Sequence, residues 1–116
     1  MIKRAEPTPT FHRVVEHNGT LLLAGVTGGR PTDDMATQTA AALARIDALL
    51  LAHGSDRAHV LHATVYITDM TLKDEMNKAW LAFFEAGALP ARATLGVADL
   101  GPGVLIEIVA QAIVKD

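Results

Sequence analysis

Apolar and polar positions along this chain of 116 residues change their period several times, and each change marks an element. Phe11 to Glu16 and Thr20 to Gly25 are β-prone runs on either side of His17-Asn18-Gly19. Asn-Gly between two such runs predicts a hairpin, because a type I′ turn needs positive φ at both central residues. Before it, Pro7 and Pro9 bracket an extended lead-in with neither helical nor strand periodicity, and after it Gly28-Gly29-Arg30-Pro31 reads as a loop. From about Asp33 or Asp34 to His53 the spacing turns helical, with Ala42, Leu43, Ile46, Leu49 and Leu50 on one face. Thr32 or Asp33 can cap its start, and Gly54 suits the left-handed position beyond its end. Val60 to Ile67 reads as a strand. A second helix is expected from near Asp69 or Thr71 to Ala86, with Leu72, Met76, Ala79, Trp80 and Phe83 inward and Gly87 as its stop. Pro90 keeps the next segment extended as a strand to about Val97. Gly101-Pro102-Gly103 then turns the chain into a last and longest strand, Val104 to Val114.

The expected order is β-β-α-β-α-β-β, an α+β fold in a single domain over residues 1–116. Two helices cover one face of such a sheet. The last strand, however, carries Val104, Ile106, Ile108, Ala110, Ala112 and Val114 on one side and Leu105, Val109 and Ile113 on the other. Leu21, Leu22 and Leu23 likewise feed both sides of theirs. A strand apolar on both faces needs cover on both, and a second copy of the chain is the simplest cover. A homo-oligomer is expected.

Half the residues are apolar but only 4% are aromatic, so the core must be aliphatic. The net charge of −3 gives no basis for binding nucleic acid or an anionic membrane. With no cysteine, disulfides, thiolate metal sites and cysteine nucleophiles are excluded. No apolar leader follows Met1, and no apolar run is long enough to span a bilayer, so a cytoplasmic protein is expected.

Two charges stand out against this background. Arg92 lies in Pro90-Ala91-Arg92-Ala93-Thr94, and Glu107 in Val104-Leu105-Ile106-Glu107-Ile108-Val109. Each is a charge where its neighbours predict interior, so each needs a partner, a ligand or a wet cleft. Two readings stay open. If their strands are neighbours, the two can form an interior or interface salt bridge. Alternatively, the guanidinium fork of Arg92 can grip a ligand carboxylate while Glu107 polarises or deprotonates a water. The five histidines offer no metal-ligand spacing, and Gly25-Val26-Thr27-Gly28-Gly29 lacks a phosphate-loop pattern. Asn77 reads as a solvent-facing helix residue, and Thr64 and Tyr66 as the damp side of their strand.

The Pro90–Thr94 segment, the glycine turn and Ile106-Glu107-Ile108 together resemble the C-terminal signature of the Rid family of enamine/imine deaminases. The Asn18-Gly19 hairpin ending in Ala24-Gly25, Asp69-Met70, and Met76-Asn77 through Phe83-Phe84 extend the resemblance over most of the chain. It implies a chorismate-mutase-like fold, with one mixed sheet and two helices on one face, assembled as a homotrimer around a central barrel. It implies ligand clefts between subunits and hydrolysis of 2-imino acids, formed from enamines such as 2-aminoacrylate, to 2-keto acids and ammonia. No cofactor and no metal would be required. The resemblance assigns the substrate carboxylate to Arg92, the attacking water to Glu107, and further substrate contacts to Gly25, Thr94, Phe11 and Asn77. Phe11 stands where a tyrosine is common, Ala24 and Val26 where Ser and Gln flank the glycine, and Thr94 where several members carry cysteine. These departures leave a more apolar pocket wall. A non-catalytic trimer that binds small carboxylates through Arg92 is the alternative function. A ribonuclease role does not suit an acidic chain without a basic, aromatic-studded surface.

Overall fold

A computed structural model describes residues 1–116. Its elements are β1 (Ile2–Pro7), β2 (His12–His17), β3 (Thr20–Leu23), α1 (Met35–Ala52), β4 (Val60–Ile67), α2 (Lys73–Phe83), β5 (Ala91–Gly96) and β6 (Ile106–Ile113). The strands form one sheet in the order β1-β2-β3-β6-β4-β5. Every neighbouring pair is antiparallel except β4 with β5. That one parallel pair follows from its connection, since α2 carries the chain back to the end where β4 began.

The hairpin turn forms as the sequence predicts. Asn18 and Gly19 have φ of 51° and 79°, and His17 pairs with Thr20 across them. The extended lead-in is a strand, contrary to expectation. β1 pairs along its length with β2, from Ile2 opposite His17 to Pro7 opposite His12. It lies at the sheet edge with almost every residue exposed, so no face had to be apolar and the alternation that betrays a strand is missing. The elements therefore run β-β-β-α-β-α-β-β.

Helix boundaries shift for local reasons. Asp34, rather than Thr32 or Asp33, caps α1: its Oδ1 accepts from Thr37 N at 2.9 Å, and hydrogen bonding from the Thr37 side chain first and its backbone second holds the Asp34 pKa below the ordinary value. The Asp33 carboxylate is occupied with Arg30 N at 2.7 Å. Gly54, at φ 80°, ends the helix as expected. Asp69 caps a 3₁₀ turn, Met70–Leu72, from which α2 continues. α2 stops at Phe83, and Ala86–Ala88 is a separate 3₁₀ turn. β6 begins at Ile106 because Val104 N bonds back to Gly101 O and Leu105 N to Gln38 Oε1 rather than to a neighbouring strand, so it equals β4 in length.

Leu21, Leu23, Ala63, Val65, Ile67, Ile106, Ile108, Ala110 and Ala112 line the helix-covered face of the sheet. Against them pack Met35, Leu43, Ile46 and Leu50 of α1 and Met76 and Trp80 of α2. Both helices lie on this face, and the molecule measures 41 × 37 × 20 Å, its shortest extent being two layers about 10 Å apart with their side chains. The register places Val15, Leu22, Thr64, Tyr66, Ala93, Leu95, Glu107, Val109, Gln111 and Ile113 on the other face. Nothing in the chain covers it, and Leu22, Leu95 and Ile113 are exposed there. No helix is long and apolar enough to cross a membrane.

Candidate functional site

Arg92 lies on the edge strand β5, opposite Ala63, and so projects toward the helix layer. Its guanidinium carbon is 5.0 Å from the centre of the Trp80 ring, and Nη1 is 3.8 Å from Met76 Sδ. Both partners come from α2, one turn apart, and give the cation a π face and a soft sulfur instead of a counter-charge. None of the chain's ion pairs includes Arg92. Partial burial pulls its pKa below the ordinary arginine value, but a guanidinium remains a cation at neutral pH. A cleft of about 330 Å³ opens beside it, lined by Asn77, Trp80, Leu81, Leu89, Pro90 and Arg92. Asn77 is therefore at the cleft wall rather than simply on a solvent-facing helix surface. Thr94, two residues along β5, shares the Arg92 side of the strand and is half-buried opposite Val65. The cleft thus holds an uncompensated fork of donors in a partly apolar wall, a set suited to a small carboxylate.

Glu107 occupies the opposite face of the sheet. It sits in β6 across from Tyr66, and alternation directs it to the uncovered side. It is half-buried, and no hydrogen bond or ion pair within the chain engages its carboxylate. Gly25 explains how it fits. A β-carbon at that position would collide with the Glu107 carboxylate, so the missing side chain is the space the carboxylate uses. The two segments are locked by a bridge in which Val26 and Ile108 exchange both backbone hydrogen bonds, at 2.8 and 2.9 Å. Gly25→Ala should therefore displace the carboxylate while leaving the fold intact. The expected result is a roughly tenfold loss of any Glu107-dependent rate, with thermal stability within a few degrees of the parent.

A residue without a sequence signal fixes the turn ahead of Glu107. Gln38, in the first turn of α1, is 2% exposed. Its amide nitrogen lies 2.9, 3.1 and 3.3 Å from the carbonyl oxygens of Gly103, Asp33 and Arg30, and its Oε1 accepts from Leu105 N at 2.9 Å. One side chain so ties two loops together two residues before Glu107. Only its place among apolar helix positions could have marked it as buried.

Arg92 and Glu107 do not meet within a chain. β4 lies between their strands, which puts the two backbones about 10 Å apart, and the side chains leave on opposite faces. The intrachain salt bridge expected for neighbouring strands is thereby ruled out, and the sequence-predicted residues divide into two groups, one on each face of the sheet. Arg92, Thr94 and Asn77 belong to one, Glu107 and Gly25 to the other. Phe11 belongs to neither group directly. It is 48% exposed in the β1–β2 turn, where Phe11 N donates to Thr8 Oγ1 at 3.0 Å and Thr8 N donates to Phe11 O at 2.7 Å. A larger cleft, about 420 Å³, lies between α1 and the Ala24–Thr27 segment and includes Gly25, Arg13 and Arg45. Arg45 falls on the exposed face of α1, where a charge is ordinary. No three His, Asp or Glu side chains converge as a metal-binding group.

Comparison with known proteins places this geometry. The family model described as Endoribonuclease L-PSP matches residues 1–114. The RutC family protein YoaB of Escherichia coli K12 is 37% identical over 107 residues, 92% of this chain and 93% of the relative. The crystal structure of NMB1025 from Neisseria meningitidis, a member of the YjgF family, superposes with a TM-score of 0.95 at 38% identity, over 100% of this chain and 97% of that one. The chain belongs to the YjgF/Rid family. Another Rid structure, YyfA from Yersinia pestis, described as of unknown function, gives a TM-score of 0.86 at 28% identity over 93% of this chain and 90% of its own. The chain shares the fold of these family members over its whole length.

Proposed function

We propose that this Rid-family chain is an imine hydrolase whose site is completed between subunits, Arg92 coming from one copy and Glu107 with Gly25 from the next. The observation that carries the reading is a complementary pair of unsatisfied charges: a guanidinium with no carboxylate partner and a carboxylate with no cation partner, on opposite faces of one sheet. Such a pair cannot be used by one chain alone, but a head-to-tail neighbour can bring the two together, and a heterologous contact of this kind forms a ring where the rotation between copies closes. The uncovered sheet face supplies a surface for the association: Leu22, Leu95 and Ile113 are exposed on it beside Val109 and Tyr66. A homotrimer with this face turned inward satisfies both requirements. Light scattering at micromolar concentration should give three times the 12.3 kDa chain mass, and a monomer would contradict the assembly.

The chemistry follows from the two groups. The carboxylate of a 2-imino acid, such as 2-iminopropionate from 2-aminoacrylate, pairs with the fork of Arg92 and is held against the apolar wall. A water hydrogen-bonded to Glu107 adds to the imine carbon; its oxygen forms the new bond while its proton passes through the carboxylate to the nitrogen. The carboxylate then relays the carbinolamine's hydroxyl proton to its amine; the C–N bond breaks, ammonia leaves and the C=O of the 2-keto acid forms. The imine carbon is already electrophilic, so orientation and proton transfer account for the acceleration.

The test generates 2-aminoacrylate enzymatically and follows pyruvate. Faster pyruvate formation with the protein present supports the hydrolase. Saturable pyruvate binding with no acceleration would instead identify a non-catalytic carboxylate-binding protein, for which the Arg92 cleft alone suffices.

A further inference from the structure

The Trp80 ring beneath Arg92 belongs to a run of aromatic contacts that ends at a second arginine. Trp80 packs against Phe84, with ring centres 4.7 Å apart and planes at 50°, and both rings are buried. Phe84 meets Phe83 edge to face, at 4.8 Å and 89°. These are separations and tilts at which aromatic rings attract. Phe83 in turn is covered by Arg57, whose guanidinium carbon lies 4.0 Å from the ring centre. The same guanidinium donates from Nη1 to the Phe83 carbonyl at 2.8 Å, and its Nη2 is 3.2 Å from Asp47 Oδ2 on α1. Phe83 is the last residue of α2, so its carbonyl is one that the helix leaves without an internal donor. A cation is favoured at this end of a helix, yet α2 has no basic residue in its own last turn. Arg57 supplies one from the 3₁₀ turn Arg57–His59, between α1 and β4. One planar group thus caps α2, covers its last ring and ties both to α1.

We infer that Arg57 is a positioning residue for Arg92: by fixing the last turn of α2 and the Phe83–Phe84 pair, it sets the tilt of the Trp80 indole and so the place where the Arg92 fork meets a carboxylate. Arg57 is not among the residues that line the Arg92 cleft, and it acts through the rings between them. The Arg92 guanidinium follows the indole because little else holds it. No ion pair includes it, and Met76 Sδ, at 3.8 Å from Nη1, is a weak acceptor. A forked grip is sensitive to such a tilt, since productive geometry tolerates only about 10–20°. The Arg57 side chain is 42% exposed, and an exposed ion pair contributes little to stability, so its removal leaves the fold standing. The effect on binding rests on Arg92 being the carboxylate anchor, as proposed above. The coupling of Arg57 to Arg92 exists in the free protein and is read without substrate.

The test compares Arg57→Met and Arg57→Lys with the parent, each as the intact protein with its fold checked by circular dichroism. Methionine keeps an apolar stem over Phe83 without charge or donors, whereas lysine keeps a cation and a donor for the carbonyl. The first readout is the Nε–H resonance of Arg92, which the Trp80 ring current displaces and which is assigned by its loss in Arg92→Lys. Arg57→Met should move this resonance, and Arg57→Lys should bring it at least halfway back. Phe83→Leu breaks the run one step nearer to Trp80 and should move it in the same way. The second readout is pyruvate affinity, titrated by the emission of Trp80, the only tryptophan. Arg57→Met should weaken it about three- to tenfold, with partial rescue by lysine. An Arg92 resonance that stays at its parental position in folded Arg57→Met and Phe83→Leu overturns the proposal. A resonance that moves while pyruvate affinity stays within about twofold of the parent overturns it as well, since the fork then tolerates the tilt. A parent that binds no pyruvate would instead remove Arg92 as the anchor, and the resonance alone then decides whether Arg57 positions it.

Discussion

Arg92→Ala should lower kcat/KM for imine hydrolysis by about 10²- to 10³-fold, the effect of removing a charge-assisted, two-pronged grip on a carboxylate. The loss is expected in the rate and not in the fold. In the free protein the Arg92 guanidinium makes only the contact with Trp80 and the weak one with Met76. A half-exposed cation–π contact contributes roughly 0.5–1 kcal/mol, and the alanine variant also escapes the partial desolvation that lowers the Arg92 pKa. The thermal midpoint should therefore move by no more than a few degrees. Arg92→Lys keeps the charge without the planar fork and should fall between the two. Trp80 fluorescence gives an independent readout, since pyruvate that quenches or shifts it in the parent should no longer do so in Arg92→Ala. Undiminished activity in the alanine variant would remove Arg92 from the mechanism.

Gln38→Leu should destabilise the protein by about 3–4 kcal/mol, although the site of substitution bears no charge and touches no cleft. Leucine fills a similar volume but leaves Leu105 N without its acceptor and the Gly103, Asp33 and Arg30 carbonyls without their shared donor. Each buried polar group stranded in this way costs about 1–3 kcal/mol, with water relieving those nearest the surface. The midpoint of thermal unfolding should drop by about 10–15 °C for a chain of this size. Urea denaturation is the better measure, because an unchanged slope with a lower midpoint shows that stability alone has moved. A cost below about 1 kcal/mol would mean that both loops rehydrate freely and that Gln38 does not hold the turn before Glu107.

Local pattern carried most of the fold. The Asn18-Gly19 turn, the span of β4 and the C-terminal end of α1 at Gly54 rest on turn chemistry and periodicity confined to a few residues. β1 was invisible for the opposite reason, since an edge strand exposed on both sides has no periodicity to show. Strand order was beyond reach of any local signal. That β4 inserts between β5 and β6 is decided by packing across the sheet, and it turned Arg92 and Glu107 from partners into occupants of opposite faces. The resemblance in Pro90–Thr94 and Ile106–Ile108 pointed to both residues as candidates, but only the register shows that within one chain they stand on opposite faces. Gly25 was legible as the end of a β-prone run and, through the resemblance, as a substrate contact; its fit against the Glu107 carboxylate was not, because that contact joins residues 82 positions apart in sequence.

The proposed site is shared between copies, and co-expression of two inactive variants tests this sharing most directly. Arg92→Ala and Glu107→Gln are each expected to be nearly inactive alone. In a randomly mixed ring each site draws Arg92 from one copy and Glu107 from its neighbour, so about a quarter of the sites are intact and about a quarter of the parent activity should return. Mixed assemblies that stay as inactive as either variant alone would show that the two residues do not act across a subunit boundary.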